Sequence, residues 1–373
     1  MKPAKLLLCG DVMTGRGIDQ ILRVPGDPEL REPGMRDARH YVRLAERGHG
    51  DLPRGVDPRF IWGDALDACT REGPDCRIVN LETAVTTSDD WCRGKEVHYR
   101  MHPANIDCLT AAGIDVATLA NNHTLDWGTA GLLETVDALA AAGIHSTGAG
   151  RDLDRAQQPA IVPLAGGGRC LVFGVGSPTS GIPLRWAAGA HRPGIDVVPV
   201  LSTAEAYRLG DRVRDAKRPG DIAVVSIHWG SNWGYDVTDD MAAFARAVID
   251  GGADVVHGHS SHHARPIEIH RGRLILYGCG ECIDDYEGIG GYEAFRGDLV
   301  PLAFATVDPA TGRLVELRVA PMQIHRFSLR RAAPADARVL ADTLAEISAA
   351  FGTAVAYDGD RIVVSPVSRS MSA

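Results

Sequence analysis

The chain has 373 residues, 45% hydrophobic and 23% charged, which is ordinary for a globular protein and allows one large or two modest domains. Its formal net charge of -9, with no basic run, argues against a nucleic-acid partner. The sequence shows no apolar stretch of about 18 residues to span a bilayer and no long apolar leader, so we expect a cytoplasmic protein without a membrane partner.

The first part of the chain alternates short apolar strands with helices, and each strand stops at polar residues. The predicted strands cover residues 5–9, 76–81 and 115–120. The polar residues that follow them are at positions 11, 80–82 and 121–123. The predicted helices cover residues 18–22, 102–112 and 128–142. Residues 24–57 are rich in Pro, Gly, Arg and Asp, which predicts a long loop, and the alternation as a whole indicates an α/β sheet.

The rest of the chain adds further strands and helices together with hairpins. Strands are predicted over residues 222–227 and 255–256, and helices over residues 203–216, 239–249 and 335–350. The predicted hairpins pair residues 160–164 with 170–175, 267–270 with 274–277, 302–307 with 314–319, and 354–357 with 361–364. Because hairpins make antiparallel strands, we predict two packed sheets with helices outside them.

One stretch near residue 260 is unusually rich in histidine. Its members are His257, His259, His262 and His263. The apolar residues 255–256 before them favour a buried strand, and Gly258 allows a sharp turn, so we expect the histidines in the loop just past the strand. Imidazole is the commonest protein metal ligand and exchanges protons near neutral pH, so the stretch predicts a functional site.

Other predicted strand ends carry side chains of matching chemistry. The set comprises Asp11, Glu82, Asn122, His123, His228, His259 and His262. Carboxylate, amide and imidazole groups together suit one or two divalent ions such as zinc, manganese or iron. Each residue alone has a structural explanation, as a helix cap for Asp11 or a hydrogen-bonded core residue for His228. Their shared position after apolar strands predicts a single site.

Five short motifs give the chain a resemblance to a known family. They are GDVMTGR from residue 10, NLE from residue 80, NNH from residue 121, HWG from residue 228 and GHSSH from residue 258. In this order, over about residues 5–290, they resemble the CapA capsule-synthesis family of the calcineurin-like metallophosphatases. The resemblance implies a four-layer αββα sandwich of mixed sheets with the site at the strand ends. We predict that this domain covers residues 1–330, with residues 331–373 forming a helix and hairpin packed on it.

The resemblance also implies a role for each motif residue. Asp11 and His262 would bind one metal ion, and Asn122, His228 and His259 would bind a second. Glu82 would bridge the two ions, and His123 would act as the general acid. Two positions depart from the phosphatase pattern. Met13 replaces the histidine of the motif D-x-H, and a thioether does not replace imidazole for such ions. Glu82 stands where the pattern has Asp, so we expect a divalent ion at partial occupancy and no strict requirement for one.

Three functions then compete, beside a pure binding module. The first is a metal-dependent phosphoesterase. The second is CapA-type poly-γ-glutamate synthesis, a role tied to the membrane, for which this sequence shows no anchor. In the third, the chain resembles in size and motif content the epimerases of lasso-peptide precursors, which invert a residue at Cα without a metal. The weakened metal set and the missing anchor favour this third function, so we predict a peptide epimerase.

Epimerisation requires a base, an acid and stabilisation of an enolate. The predicted catalytic residues are Asp11, Glu82, His123 and His259. The residues predicted to bind the peptide precursor are Arg16, Asn122, Trp229, Trp233 and Tyr235, the aromatic ones as a wall that ordinary packing explains equally well. The eight cysteines are dispersed and predict no disulfide framework. The inverted residue, the oligomeric state and the roles of His257, His263 and the Cys279/Cys282 pair stay open.

Overall fold

Two β-sheets face each other in the computed structural model, which describes residues 2–366 of the chain. Within these residues the strands are β1 (Ala4–Val12), β2 (Glu29–Glu32), β3 (Met35–Asp37), β4 (Cys76–Leu81), β5 (Ala84–Val85), β6 (Arg100–Met101), β7 (Val116–Thr118), β8 (His145–Thr147), β9 (Ala149–Gly150), β10 (Ala160–Pro163), β11 (Arg169–Gly176), β12 (Gly194–Ile195), β13 (Ile222–His228), β14 (Val255–His259), β15 (Ile267–His270), β16 (Arg273–Leu276), β17 (Glu281–Ile283), β18 (Leu299–Val307), β19 (Leu314–His325), β20 (Ser328–Arg331), β21 (Thr353–Tyr357) and β22 (Ile362–Pro366). The α-helices within the same residues are α1 (Arg16–Ile21), α2 (Arg39–His49), α3 (Ala65–Glu72), α4 (Asp107–Ala111), α5 (Gly128–Ala141), α6 (Leu153–Gln157), α7 (Thr203–Ala216), α8 (Asp239–Asp250) and α9 (Pro334–Ser348).

Both sheets combine a parallel centre with antiparallel hairpins. The larger sheet has ten strands in the order β21-β22-β19-β18-β1-β4-β7-β8, with β17 beside β1 and β20 beside β19. The smaller sheet has six strands in the order β10-β11-β13-β14-β16-β15. Strands β1, β4, β7 and β8 are parallel, as are β11, β13, β14 and β16. The four predicted hairpins are confirmed as β10/β11, β15/β16, β18/β19 and β21/β22.

The alternation of side chains along each strand divides the core into layers. Leu8 of β1 packs in one apolar cluster with Val224 of β13, so this cluster fills the space between the sheets. The neighbouring Leu7 points the other way, into a cluster with helices α1 to α5. On the far face of the smaller sheet, Val225 packs against α7 and α8. The layers are therefore helices, sheet, sheet and helices, which is the predicted four-layer αββα sandwich of mixed sheets.

The C-terminal elements complete the large sheet. The hairpin β21/β22 adds two strands beside β19, and helix α9 buries Leu340 and Leu344 in the cluster between the sheets. Residues 367–373 of the predicted C-terminal segment, like residue 1, lie outside the described residues. Across residues 2–366, no helix combines the length and the apolar character that crossing a bilayer requires.

Two local predictions were wrong. Residues 24–57, predicted as a loop, contain the hairpin β2/β3 and the helix α2, whose buried side chains are only Tyr41, Val42 and Ala45. The apolar face is regular but narrow, and the many charged residues around it give the segment the polar composition of a loop. Strand β14 pairs with β13 as far as His259, so His257 and His259 lie within the strand rather than in the loop after it.

Candidate metal centre

The carboxyl ends of four strands, β1, β4, β13 and β14, and the first residue of a fifth, β17, bring polar side chains to one place between the two sheets. Strands β4 and β17 both pair in parallel with the end of β1, and β13 pairs in parallel with β14. Parallel strands end at the same edge of a sheet, which is where ligand crevices form in α/β folds. The side chains that meet there are Asp11, Asn80, His228, His259 and Glu281.

Asp11 is the common neighbour of the other groups. Its Oδ1 accepts a hydrogen bond of 2.6 Å from Asn80 Nδ2, and its Oδ2 accepts one of 3.0 Å from the backbone N–H of Ser260. Ser260 adopts a φ of 102°, a rare conformation for a residue with a side chain, and this turns its N–H toward the carboxylate. Burial raises the pKa of Asp11 to about 7 against these stabilising hydrogen bonds.

One potential ligand group consists of Asp11, His228 and His259, whose ligand atoms lie within 4.8 Å of one another. The Nδ1 atoms of the two histidines are 2.9 Å apart, and they lie 3.9 Å and 3.7 Å from Asp11 Oδ1. Burial lowers the pKa of both histidines well below the usual value, so both rings are neutral and offer lone pairs. The outer nitrogens are engaged by Asn122 Oδ1 at 2.8 Å and Ser226 Oγ at 2.9 Å.

A second group consists of Asp11, His262 and Glu281, again with ligand atoms within 4.8 Å of one another. Glu281 contacts His262 Nδ1 through one oxygen, and its buried Oε2 has no hydrogen-bond partner among the described residues. Burial and the nearby carboxylates raise the pKa of Glu281 well above its usual value. Glu281 was missed from the sequence because it stands between Cys279 and Cys282. Its position shortly after the predicted strand of residues 274–277 could have indicated it.

Glu82 and His123 lie beside these groups. Glu82 Oε1 is 3.6 Å from His123 Nε2 and 3.8 Å from His228 Nε2, while its buried Oε2 has no partner among the described residues. Asp11, rather than Glu82 as we predicted, is the carboxylate shared by both ligand groups. Burial, followed by repulsion from the negative charge of Asp11, raises the pKa of Glu82 well above its usual value.

The ring of His123 is held on its other side. Its Nδ1 lies 2.6 Å from Asp126 Oδ2 and 2.9 Å from Lys95 Nζ, and the ring stacks on Tyr99 with 3.8 Å between centroids. This leaves Nε2 directed toward Glu82. Burial, with the charge of Lys95, lowers the pKa of His123 well below its usual value. Lys95 and Asp126 were missed from the sequence, because nothing local to them indicates contact with His123.

These donors fit divalent ions. Burial raises the pKa values of the carboxyl groups of Glu82 and Glu281, and the negative charge of Asp11 raises both further. Both have an unpartnered oxygen among the described residues, and buried unpaired polar atoms are costly unless something binds them. Neutral imidazoles and carboxylates are the ligands that zinc, manganese and iron accept. Glu281 is a further potential ligand beside Asp11 and His262.

A cavity of about 540 Å³ adjoins the centre, and His262 forms part of its wall. Trp233 lines it as well, stacked on Tyr292 with 4.1 Å between parallel rings. Apart from histidines and tyrosines, the ionisable residues of the wall are four carboxyl groups and two guanidinium groups: Asp284, Glu287, Glu293, Asp298, Arg296 and Arg330. Burial raises the pKa of Asp284 to about 8, so this group is largely neutral near pH 7.

The residues predicted to bind substrate fall into different environments. Trp233 lines the cavity and Asn122 contacts His228. Arg16 is buried and bound by Glu32 and Asp285, so its guanidinium is not free for a substrate. Trp229 is also buried and its Nε1 donates to the carbonyl of Tyr277, so its prediction as a substrate wall is wrong. Tyr235 packs edge-on against His263, away from the wall of this cavity.

His257 and His263, whose roles the sequence left open, make contacts that support the fold. His257 lies 2.7 Å from the carbonyl oxygen of Cys9 and 3.0 Å from Ser226 Oγ, linking the two sheets. His263 lies 2.9 Å from the carbonyl oxygen of Ala264 and stacks on Phe295. All eight cysteines lie within the described residues and are free, and all but Cys92 are buried.

The profile described as "Bacterial capsule synthesis protein PGA_cap" matches residues 5–286 of the chain. The "Probable polyglutamine synthesis accessory protein" of Mycobacterium tuberculosis is 49% identical over 359 residues, covering 96% of this chain and 94% of that protein. The "PGA biosynthesis protein CapA" of Bacillus subtilis is 30% identical over 317 residues, covering 85% of this chain and 70% of that protein. The "Capsule biosynthesis protein CapA" of Bacillus anthracis is 26% identical over 196 residues, covering 51% of this chain and 45% of that protein.

These similarities overturn one prediction. A peptide epimerase of lasso-peptide precursors was wrong, because the similar proteins carry names of polyglutamine, PGA and capsule synthesis. The resemblance to the CapA family, which the motifs implied, is confirmed by the match over residues 5–286. The prediction rested on the missing D-x-H histidine and on the lack of an apolar stretch that could anchor the chain, and neither feature identifies a substrate.

Proposed function

The chain belongs to the bacterial capsule synthesis protein (PGA_cap) family, and from this premise we propose that it is an accessory enzyme of polyglutamate synthesis. We propose that it hydrolyses a bond of the polymer at a centre of two divalent ions. The names of the similar proteins support the choice of polymer. The chemistry of the buried side chains supports the choice of reaction.

The observation that carries the proposal is the position of Asp11 between two ligand groups. His228 and His259 stand on one side of it, and His262 and Glu281 on the other. A carboxylate has two oxygens and about four lone-pair positions, so it can serve two ions at once. Paired ions on a shared carboxylate are typical of hydrolytic centres that act on phosphoryl or acyl groups.

The two ions would be held by different sets of residues. Asp11, His228 and His259 would hold one, and Asp11, His262 and Glu281 the other. What bound divalent ions supply at such a centre is an activated water molecule and stabilisation of the charge that develops on the scissile group. The hydrogen bonds from Asn80 and Ser260 keep Asp11 in place, and such outer contacts fix the orientation of a ligand.

His123 is positioned to move a proton. Its Nδ1 side is engaged by Asp126 and Lys95, so Nε2 is the nitrogen that remains available, 3.6 Å from Glu82. We propose that the neutral Nε2 takes a proton from the attacking water molecule and passes it to the leaving group, and that Asp126 fixes the ring for this transfer. Burial of the pair excludes water, which strengthens the electrostatic interaction between them.

The adjoining cavity would receive the polymer. Its aromatic pair, Trp233 and Tyr292, offers a flat surface beside His262. Its charged wall has more carboxyl groups than guanidinium groups, which opposes entry of an acidic chain. Bound divalent cations would offset this charge, so we propose that ion binding precedes binding of the polymer.

A second reaction, phosphoester hydrolysis, is supported by the His123–Asp126 pair beside the metal ligands. An oriented imidazole can protonate an alkoxide leaving group as well as an amine. The substrate that is consumed distinguishes the two reactions. The same variants of the centre test whether either reaction depends on it.

The test uses the full chain stripped of metal and reloaded separately with Mn²⁺, Zn²⁺ or Fe²⁺. Poly-γ-glutamate of uniform length is incubated with it and its size is followed by gel filtration, in parallel with a chromogenic phosphodiester. Asp11→Asn is the inactive variant, and Glu346→Gln, which changes an exposed carboxylate outside the cavity wall, is the matched control. Metal-dependent shortening of the polymer supports the proposal, phosphodiester hydrolysis with an intact polymer selects the second reaction, and no turnover of either refutes both.

A further inference from the structure

Three potential metal ligands from distant parts of the chain meet on the cavity wall, in a group that does not include Asp11. His49 is the last residue of α2, Glu287 follows β17, and His325 is the last residue of β19. Their ligand atoms lie within 4.8 Å of one another, and all three side chains line the cavity. From this geometry we propose that His49, Glu287 and His325 bind a zinc-class divalent ion. The proposal does not depend on the proposed function.

The carboxylate of Glu287 is held in a fixed orientation by the backbone. Its two oxygens accept hydrogen bonds of 2.7 Å from the N–H groups of Arg326 and Phe327. Both of these residues have positive φ, 57° and 56°, in the tight turn between β19 and β20. Non-glycine residues rarely adopt this conformation, and it is maintained here with the help of Glu287. The carboxylate still has lone pairs for an ion, since each oxygen offers two.

The two imidazoles approach the carboxylate from different elements. His325 directly precedes the turn that Glu287 binds, so the strand fixes its position. His49 lies with its Nε2 3.3 Å from Glu287 Oε1, and its ring meets that of His325 edge to face, 4.6 Å between centroids. A bound ion would tie the end of α2 to the β19/β20 turn. The side chain of His49 is 38% exposed, so an ion can reach the group from solvent.

The donor set selects the ion. Two imidazoles and one carboxylate, with a further position open, form the ligand pattern of zinc sites that keep an exchangeable ligand. Mg²⁺ prefers oxygen ligands and octahedral geometry, so it should compete weakly here. Because the three side chains line the cavity, the open position would be taken by water or by a carboxylate of a molecule in that cavity.

The test measures zinc bound to the full chain. Metal-stripped protein is dialysed against buffered Zn²⁺, and bound zinc is counted by elemental analysis for the wild type, His49→Ala and His325→Ala. His40→Ala is the matched control, because His40 is an exposed histidine of the same helix α2. We expect the two site variants to bind one zinc fewer per chain than the wild type, and His40→Ala to match the wild type.

A second measurement uses only the wild type, so it does not depend on the stability of a variant. Crystals of the wild type soaked with Zn²⁺ should show anomalous scattering between His49, Glu287 and His325. Equal zinc counts in the wild type and both folded site variants would overturn the proposal. So would the absence of an anomalous peak at this group while zinc is found at the Asp11 centre.

Discussion

Glu281 lies opposite Asp11 because strand β17 pairs in parallel with the end of β1, in the register Asp11 to Glu281. The pairing brings a second buried carboxylate to His262. The potential ligand group of Asp11, His262 and Glu281 therefore forms from residues that are distant along the chain. This relationship is the reason to treat the centre as one for two ions.

Removing the charge of Glu281 should weaken the binding of one ion and leave the binding of the other unchanged. We expect Glu281→Gln to lower the affinity of the Asp11–His262 group for Mn²⁺ or Zn²⁺ at least about tenfold, since even loss of an outer contact to a metal ligand costs that much. The Asp11–His228–His259 group should keep its ion. Calorimetric titration measures both affinities, with Glu293→Gln as the control; an unchanged titration of Glu281→Gln would remove Glu281 from the ligand set.

Metal should stabilise the folded chain. A ligand that binds only the folded state adds about 2.7 kcal/mol to the free energy of unfolding when it is present at 100 times its Kd. In a His325→Ala background, which removes the group of His49, Glu287 and His325, we expect chemical denaturation to show a gain of this order on adding Mn²⁺, and no gain once Asp11→Asn is added. A comparable gain in Asp11→Asn would mean that the ion binds elsewhere.

Asp11→Asn should not harm the metal-free fold. Burial opposes the charged form of Asp11, and an amide of the same shape removes that charge. This gain offsets the loss of one acceptor, because the amide keeps a single oxygen for Asn80 or Ser260. We therefore expect metal-free Asp11→Asn to unfold at the same or higher denaturant concentration than the metal-free wild type. A strong loss of stability in the variant would show that Asp11 has mainly a structural role.

The two neighbouring tryptophans should respond differently to truncation. Trp229 is buried against Phe244 and Tyr277, so Trp229→Ala should lower the free energy of unfolding by about 3–5 kcal/mol. Trp233 is partly exposed on the cavity wall, so Trp233→Ala should change stability much less and reduce binding of polyglutamate instead. Denaturation curves and a binding assay separate the two effects; equal losses of stability would contradict the assignment.

The orientation of His123 by Asp126 should matter for turnover and not for metal. We expect Asp126→Asn to reduce turnover by a factor of about 10² to 10⁴, the usual contribution of a positioned proton donor or acceptor. Its metal content should match that of the wild type, because Asp126 belongs to neither ligand group. Loss of metal together with turnover would instead place Asp126 among the residues that support the ions.

Site residues could be predicted from the sequence where a polar side chain lies at or just after a predicted strand. Asp11, Asn122, His228, His259 and His262 were found because each lies at or just after a predicted strand, and the structure brings them together. Glu281 was hidden by its place between Cys279 and Cys282, which drew the interpretation toward those cysteines.

The remaining errors come from contacts that are distant in sequence. Lys95 and Asp126 contact His123 only in the folded chain, and no local sequence pattern indicates these contacts. Trp229 and Trp233 stand four positions apart in one motif, yet one packs inside the smaller sheet's helical layer and the other faces the cavity. The pattern of residue types does not separate these environments.

The number of ions that depend on Asp11 tests the account most directly. In a His325→Ala background, so that only the Asp11 centre is counted, full-length protein dialysed against Mn²⁺ is analysed for bound metal with and without Asp11→Asn. Because Asp11 is common to both ligand groups, we expect two ions per chain with Asp11 and none with the substitution. Two ions retained by Asp11→Asn, or none bound by the protein that keeps Asp11, would contradict a centre built on this shared carboxylate.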